Sequence, residues 1–179
     1  MKLVFKKLIR TIVHGLLLIV CMSSVGHAAA EIDMHMHHHS AASMTSRKPL
    51  SIEVFDENTW SKLLANGPRP AAYLFTTSYC STCPEAFEVL KKATQNQKLH
   101  VELIAVMMDV DGPQAQRHAA HFLGLTQLYA FDGFEPAIRQ SVDPTWPNVT
   151  PYVVMIDRKG RTQKSIGQPN GESLKKWLQ

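Results

Sequence analysis

Cysteine is scarce in this chain. Three occur among 179 residues, at positions 21, 80 and 83. That is too few for the multi-bridge framework by which small secreted folds replace a core. Long apolar runs are missing as well. A membrane-spanning helix needs about 20 apolar residues, and the one apolar stretch near the start, Ile12–Met22, is shorter and interrupted by His14. A surplus of cations is absent once the first residues are set aside. The formal charge of +4 resides wholly in Lys2, Lys6, Lys7 and Arg10, and beyond residue 30 basic and acidic residues balance at 15 each. Nothing is left over to neutralise nucleic-acid phosphates. There is no internal repeat.

The excess charge that does exist marks a leader. Residues 1–30 read as a secretory signal peptide, with a basic n-region, a short apolar h-region and Ala28-Ala29-Ala30 as a small-residue cleavage site before Glu31. The expectation is an exported, periplasmic protein with no permanent membrane anchor. Export removes Cys21 and leaves a chain with only Cys80 and Cys83, in a compartment where disulfides persist.

Residues 31–50 differ in character from the remainder of the chain. They hold few large apolar residues and no periodicity, so they read as a disordered tail or linker. Residues 51–179 read as one domain with one sizeable core. Ser51–Phe55 is a short strand, and Asp56 or Asn58 caps a helix running through Leu64. Ala71–Thr77 is an apolar strand, and Glu85–Gln95 is a helix with Phe87, Leu90 and Ala93 at helical spacing. Val101–Met108 reads as a strand buried on both faces. Helices are expected over Gln114–Leu123 and Phe134–Gln140. Tyr152–Ile156 is a strand, Asp157-Arg-Lys-Gly160 a turn, Arg161–Ile166 its hairpin partner, and Ser173–Leu178 a closing helix. The order predicts an α/β protein: a central mixed β-sheet flanked by helices on both faces, its first two core strands parallel.

The chemistry centres on Cys80-Ser81-Thr82-Cys83. The pair follows an apolar strand and opens a helix. A helix N-terminus carries unpaired N–H groups and partial positive charge, which favour the thiolate, the nucleophile of disulfide exchange. As a structural staple the pair would close only a tiny loop and constrain little of the unfolded chain. Thr150-Pro151 is the second signal. A proline there belongs at the first residue of the Tyr152 strand. Its peptide bond is either an ordinary trans bond or a cis bond that would turn the Thr150 backbone toward the neighbouring strand end.

Strand, Cys80-x-x-Cys83, helix, strand, Thr150-Pro151, hairpin and final helix together resemble the thioredoxin superfamily, and the extra middle segment is most similar to exported TlpA/ResA-type thiol–disulfide oxidoreductases. The resemblance runs from about Phe55 to the end. It implies that Cys80 attacks, Cys83 resolves, Pro151 is a cis-proline beside the disulfide, and Thr150 pairs with substrate backbone. It implies protein thiols or disulfides as partners, reduction as the working direction, a membrane thiol reductase as electron source, and no required cofactor. Tyr79 stands where the family usually has Trp. Leu74 stands where thioredoxins carry a buried acid. Glu85 and Glu88 come after the motif but miss the spacing of the ResA-type glutamate, and read as solvated helix residues.

Met34, His35, Met36, His37, His38 and His39 make a candidate metal-binding tail. Imidazole suits several divalent metals and thioether adds a preference for Cu(I); Met44 could extend the set. His118 and His121, at i and i+3, form a weaker second pair. The tail sustains one alternative, an SCO-like copper chaperone or copper-binding redox protein that uses both cysteines. Against it, SCO-type cysteines are usually C-x-x-x-C, and Thr150-Pro151 occupies the place of their histidine ligand.

Overall fold

A computed structural model describes residues 50–95 and 97–179. The signal-peptide reading, the His/Met tail and Met44 therefore lie outside the described residues. The element order is β1 (Ile52–Phe55), α1 (Thr59–Asn66), β2 (Ala71–Thr76), α2 (Cys83–Gln95), β3 (Glu102–Met107), α3 (Gly112–Ala119), β4 (Gln127–Phe131), α4 (Glu135–Val142), β5 (Tyr152–Ile156), β6 (Thr162–Ile166) and α5 (Gly171–Trp177).

The strands form one six-stranded sheet in the order β1-β4-β3-β2-β5-β6. β1, β4, β3 and β2 run parallel, β5 pairs antiparallel with β2, and β6 pairs antiparallel with β5. Every residue of β2 and of β5 is buried. Because successive side chains alternate across a strand, these strands feed two cores. Ala72, Leu74, Leu103, Ala105, Val153 and Met155 face one side, with Phe87 and Leu90 of α2, Ala115 of α3 and Trp177 of α5. Tyr73, Phe75, Ile104, Val106, Tyr152 and Val154 face the other, with Trp60 of α1 and Ile138 of α4. A sheet coated on both faces explains why these strands read as continuous apolar runs.

Several local expectations need correction. β4 is a strand where the sequence pattern suggests a helical middle. Gln127–Phe131 is short and carries no clean alternation, and its place is set by pairing with β3 on one side and β1 on the other. The α3 helix ends at Ala119 rather than Leu123, because the chain tightens into three-residue turns, His121 N–H to His118 C=O and Phe122 N–H to Ala119 C=O. His121 thus lies beyond the helix. Neither expected side chain caps α1 in the usual way: Asn58 makes no cap bond, and the Asp56 carboxylate instead accepts from the Asn58 N–H at 2.9 Å and the Thr59 hydroxyl at 2.7 Å.

The β5–β6 hairpin forms where expected. Asp157 closes its turn, accepting from the Lys159 and Arg161 N–H groups at 2.8 and 2.9 Å and from Arg161 Nε at 2.6 Å. Gly160 supplies the left-handed backbone, with φ 78°. The last helix starts on the Asn170 side chain, which accepts from the Ser173 N–H, and is docked by Trp177 Nε1 donating to the Ile156 carbonyl at 3.0 Å. The topology thereby brings the carboxyl ends of β2, β3 and β4 and the start of β5 to one edge of the sheet. In open α/β sheets this is the edge at which sites form.

Candidate functional site

The two cysteines are joined. Cys80 and Cys83 form a disulfide with Sγ atoms 2.00 Å apart. Cys80 follows the carboxyl end of β2, its N–H donating to the Thr77 carbonyl at 3.1 Å, and Cys83 is the first residue of α2. The sulfurs therefore sit at a helix N-terminus, where unpaired N–H groups stabilise negative charge. The two differ in access: Cys80 is 9% exposed and Cys83 fully buried. Both lie in the core cluster that holds Leu74, so the position behind the disulfide is apolar. Glu85 is exposed, and Glu88 is half-buried and paired with Lys91.

Thr150-Pro151 comes to the same edge. Tyr152 pairs with Phe75 in the β5–β2 register, which carries Thr150 and Pro151 alongside the chain leaving β2. The Thr150–Pro151 peptide bond is cis. The Pro151 carbonyl accepts from the Gly167 N–H at 2.8 Å, tying it to the end of the hairpin. Thr150 and Tyr79 line one cavity of about 300 Å³. Tyr79 is 80% exposed and stands outward beside the disulfide. The residues named from the sequence, Cys80, Cys83, Tyr79, Thr150 and Pro151, are thus gathered at one edge. A second cis bond, Arg69–Pro70, lies at the amino end of β2.

Sequence reasoning misses other residues around the site. Asp109, just past the carboxyl end of β3, accepts from the Ser78 N–H at 2.9 Å and from the Ser78 hydroxyl at 2.6 Å. This braces the loop leading into Cys80. The sequence does carry a signal for Asp109, an acid directly after a buried strand, but only strand pairing places it next to Ser78. A buried cluster holds the start of β5. The Asp143 carboxylate accepts from the Tyr152 hydroxyl, from Lys164 Nζ at 2.9 Å, and from the Thr145 N–H and hydroxyl at 2.9 and 2.8 Å. Burial opposes its charge, yet these donors outweigh it and hold the carboxyl well below the usual range. Burial first, and then the Asp143 carboxylate, push the Tyr152 phenol up, so it remains a donor. Trp146 stacks on Tyr152, rings 4.2 Å apart, and its Nε1 donates to the Val149 carbonyl at 3.0 Å, steadying the approach to Thr150.

The His118 and His121 rings lie 5.6 Å apart. Burial, and then the neighbouring His121, lower the pKa of His118. Among the described residues no three His, Cys, Asp or Glu side chains are grouped to hold a metal ion. The copper-chaperone alternative therefore finds no support in them. Also among the described residues, no helix is long and apolar enough to cross a membrane.

The strand order, the helices on both faces and the C-x-x-C disulfide at the carboxyl end of β2 define a thioredoxin-like fold. No protein-family model and no curated protein matches the chain. Solved structures do. A thiol-disulfide isomerase from Corynebacterium glutamicum is similar at 21% identity and TM-score 0.46, over 62% of this chain and 80% of that one. A thioredoxin-related protein from Neisseria meningitidis serogroup B is similar at 18% identity and TM-score 0.45, over 62% and 83%. A secreted Mycobacterium tuberculosis disulfide oxidoreductase, homologous to Escherichia coli DsbE, is similar at 17% identity and TM-score 0.42, over 60% and 76%. The likeness is one of fold.

Proposed function

We propose that this chain is an exported thiol–disulfide oxidoreductase that reduces disulfides in partner proteins. The observation that carries the reading is the asymmetry of the pair, a partly accessible Cys80 bonded to a fully buried Cys83 at the head of a helix. In the reduced protein, the Cys80 thiolate attacks one sulfur of a partner disulfide. A mixed disulfide forms, and the other partner sulfur leaves as a thiolate. Cys83 then loses its proton and attacks Cys80 Sγ, the mixed bond breaks, and the second partner thiolate departs. Two electrons have passed to the partner, and Cys80–Cys83 is closed again. An external dithiol, such as that of a membrane thiol reductase, reopens it. Sulfur carries both electrons, so the exchange itself uses no cofactor.

Tyr79 and Thr150 border the path to Cys80, and in this reading they meet the incoming polypeptide, with Pro151 holding Thr150 in place. In this reading residues 1–30 direct export to the periplasm and are removed, and residues 31–50 form a His/Met-rich tail ahead of the catalytic domain. The reductant direction rests on the TlpA/ResA resemblance.

The test is turnover of a protein disulfide such as insulin by the pre-reduced chain. Cys80→Ser should abolish it, and Cys83→Ser should accumulate the mixed disulfide. A Cys80–Cys83 potential like that of thioredoxin, about −270 mV, agrees with a reductant. A value of about −120 mV, as for a strong oxidant, would reverse the direction. An inert wild-type chain would end the reading.

A further inference from the structure

The cavity beside the disulfide has a chemical character of its own. Its lining includes two carboxylates, Asp109 and Glu135, and no cationic side chain. Asp109 has no basic partner among the described ion pairs; its hydrogen bonds come from Ser78. A carboxylate offers about four lone-pair sites, so acceptor capacity remains. Glu135 is paired with Arg139, which itself lies over the Trp146 ring, so the cavity's two negative charges meet only one cation. Met108 supplies an apolar wall. Thr77 also lines the cavity; it is 5% exposed and its hydroxyl has no partner among the described residues.

The rim is apolar and outward. Tyr79, itself part of the lining, is 80% exposed. Phe134, next to Glu135, is 70% exposed, and Val149, between the lining residues Asn148 and Thr150, is 41% exposed. At about 300 Å³ the space is at the lower limit of small-molecule sites. It suits one side chain of a docked polypeptide.

We infer that this cavity is a subsite for a lysine or arginine side chain of the partner polypeptide, close in sequence to the disulfide being reduced. The inference rests on the oxidoreductase reading above and adds a substrate class to it. The aliphatic stem would lie along Met108 and the Tyr79 ring, where a cation also gains from the ring face. The charged head would meet Asp109 and Glu135. The apolar rim would cover the flanking peptide. A cationic neighbour would therefore raise the rate of capture by Cys80, and an anionic one would lower it.

The experiment uses the pre-reduced full chain and disulfide-bonded model peptides identical except for Lys, norleucine or Glu beside the cysteine. Initial rates give kcat/KM for each peptide. The expected Lys-to-Glu preference is about tenfold at low salt. It should shrink to about threefold or less in ~0.5 M salt, where the screening length falls to about 4 Å. Glu135→Gln, which also frees Arg139, should bring the ratio to about one. Asp109→Asn should lower it as well. Because each variant is judged by its own ratio between peptides, a loosened Ser78 loop that slows all peptides alike does not imitate the effect. A wild-type ratio near one with brisk turnover of all three peptides overturns this inference and leaves the oxidoreductase reading standing. No turnover of any peptide overturns both. A ratio unchanged in Glu135→Gln and Asp109→Asn removes the cavity as its source.

Discussion

Asp143 offers the sharpest test of how the start of β5 is held. It is 6% exposed and accepts from Tyr152, Lys164 and both donors of Thr145. Removing the carboxylate in Asp143→Ala leaves the Tyr152 hydroxyl, 2% exposed as a residue, without its acceptor. The Lys164 side chain is 41% exposed and can turn to water. Breaking a buried pair costs about 3–5 kcal/mol, and the escape of Lys164 argues for the lower end, about 3 kcal/mol. That is a large share of the roughly 5–15 kcal/mol that holds a domain together. Urea unfolding monitored by fluorescence suits the measurement, because Trp60, Trp146 and Trp177 are all buried. With a slope of about 2 kcal/mol/M, the midpoint should fall by about 1.5 M. The same carboxyl predicts a pH dependence. Its folded pKa is depressed, so its contribution is complete above the unfolded value of about 3.9 and is lost as pH falls through the range below it. The gap between wild type and Asp143→Asn should therefore narrow by roughly 1.4 kcal/mol per pH unit below about 3.9. A midpoint shift under about 0.3 M, or a gap that does not change between pH ~7 and pH ~3, would refute the reasoning.

Three further outcomes are expected. Tyr73 is fully buried and its hydroxyl has no partner among the described residues, so Tyr73→Phe should stabilise the domain by about 1 kcal/mol, read as a higher urea midpoint. Leu74 is fully buried in the cluster with both cysteines; Leu74→Ala should cost about 3 kcal/mol, and a cost under about 1 kcal/mol would show the apolar backing of the disulfide to be loosely packed. Opening the Cys80–Cys83 bond releases only a four-residue loop, so the reduced chain should lose at most about 2 kcal/mol in the same titration. A loss above about 4 kcal/mol would make the bridge a structural staple.

The cysteine pair is legible in the sequence because its signals are local. A buried strand, two thiols with two residues between them and a helix-forming run declare themselves within the single stretch Ala71–Gln95, and Thr150-Pro151 does so at the first step of an apolar strand. The hairpin is legible for the same reason, through its Asp157–Gly160 turn. β4 is not. A five-residue segment gains its strand character from pairing with β3 and β1, neither of which is adjacent to it in sequence. The end of α3 is hard to read because apolar spacing continues past the point where three-residue turns take over.

Sequence alone determined the chemistry at the centre: which two sulfur atoms can close on one another, and that a helix begins beneath them. Tertiary structure decided their surroundings. Parallel pairing of β2 with β3 delivers Asp109 to Ser78, and antiparallel pairing with β5 sets Thr150 beside Tyr79. Asp143, Tyr152 and Lys164 come from three separate parts of the chain and meet only once it has folded. Bond geometry and helix dipoles act over a few residues and can be read along the chain. Charge contacts, cavities and sheet edges depend on distances through space, and these exist only once the strands have chosen their neighbours.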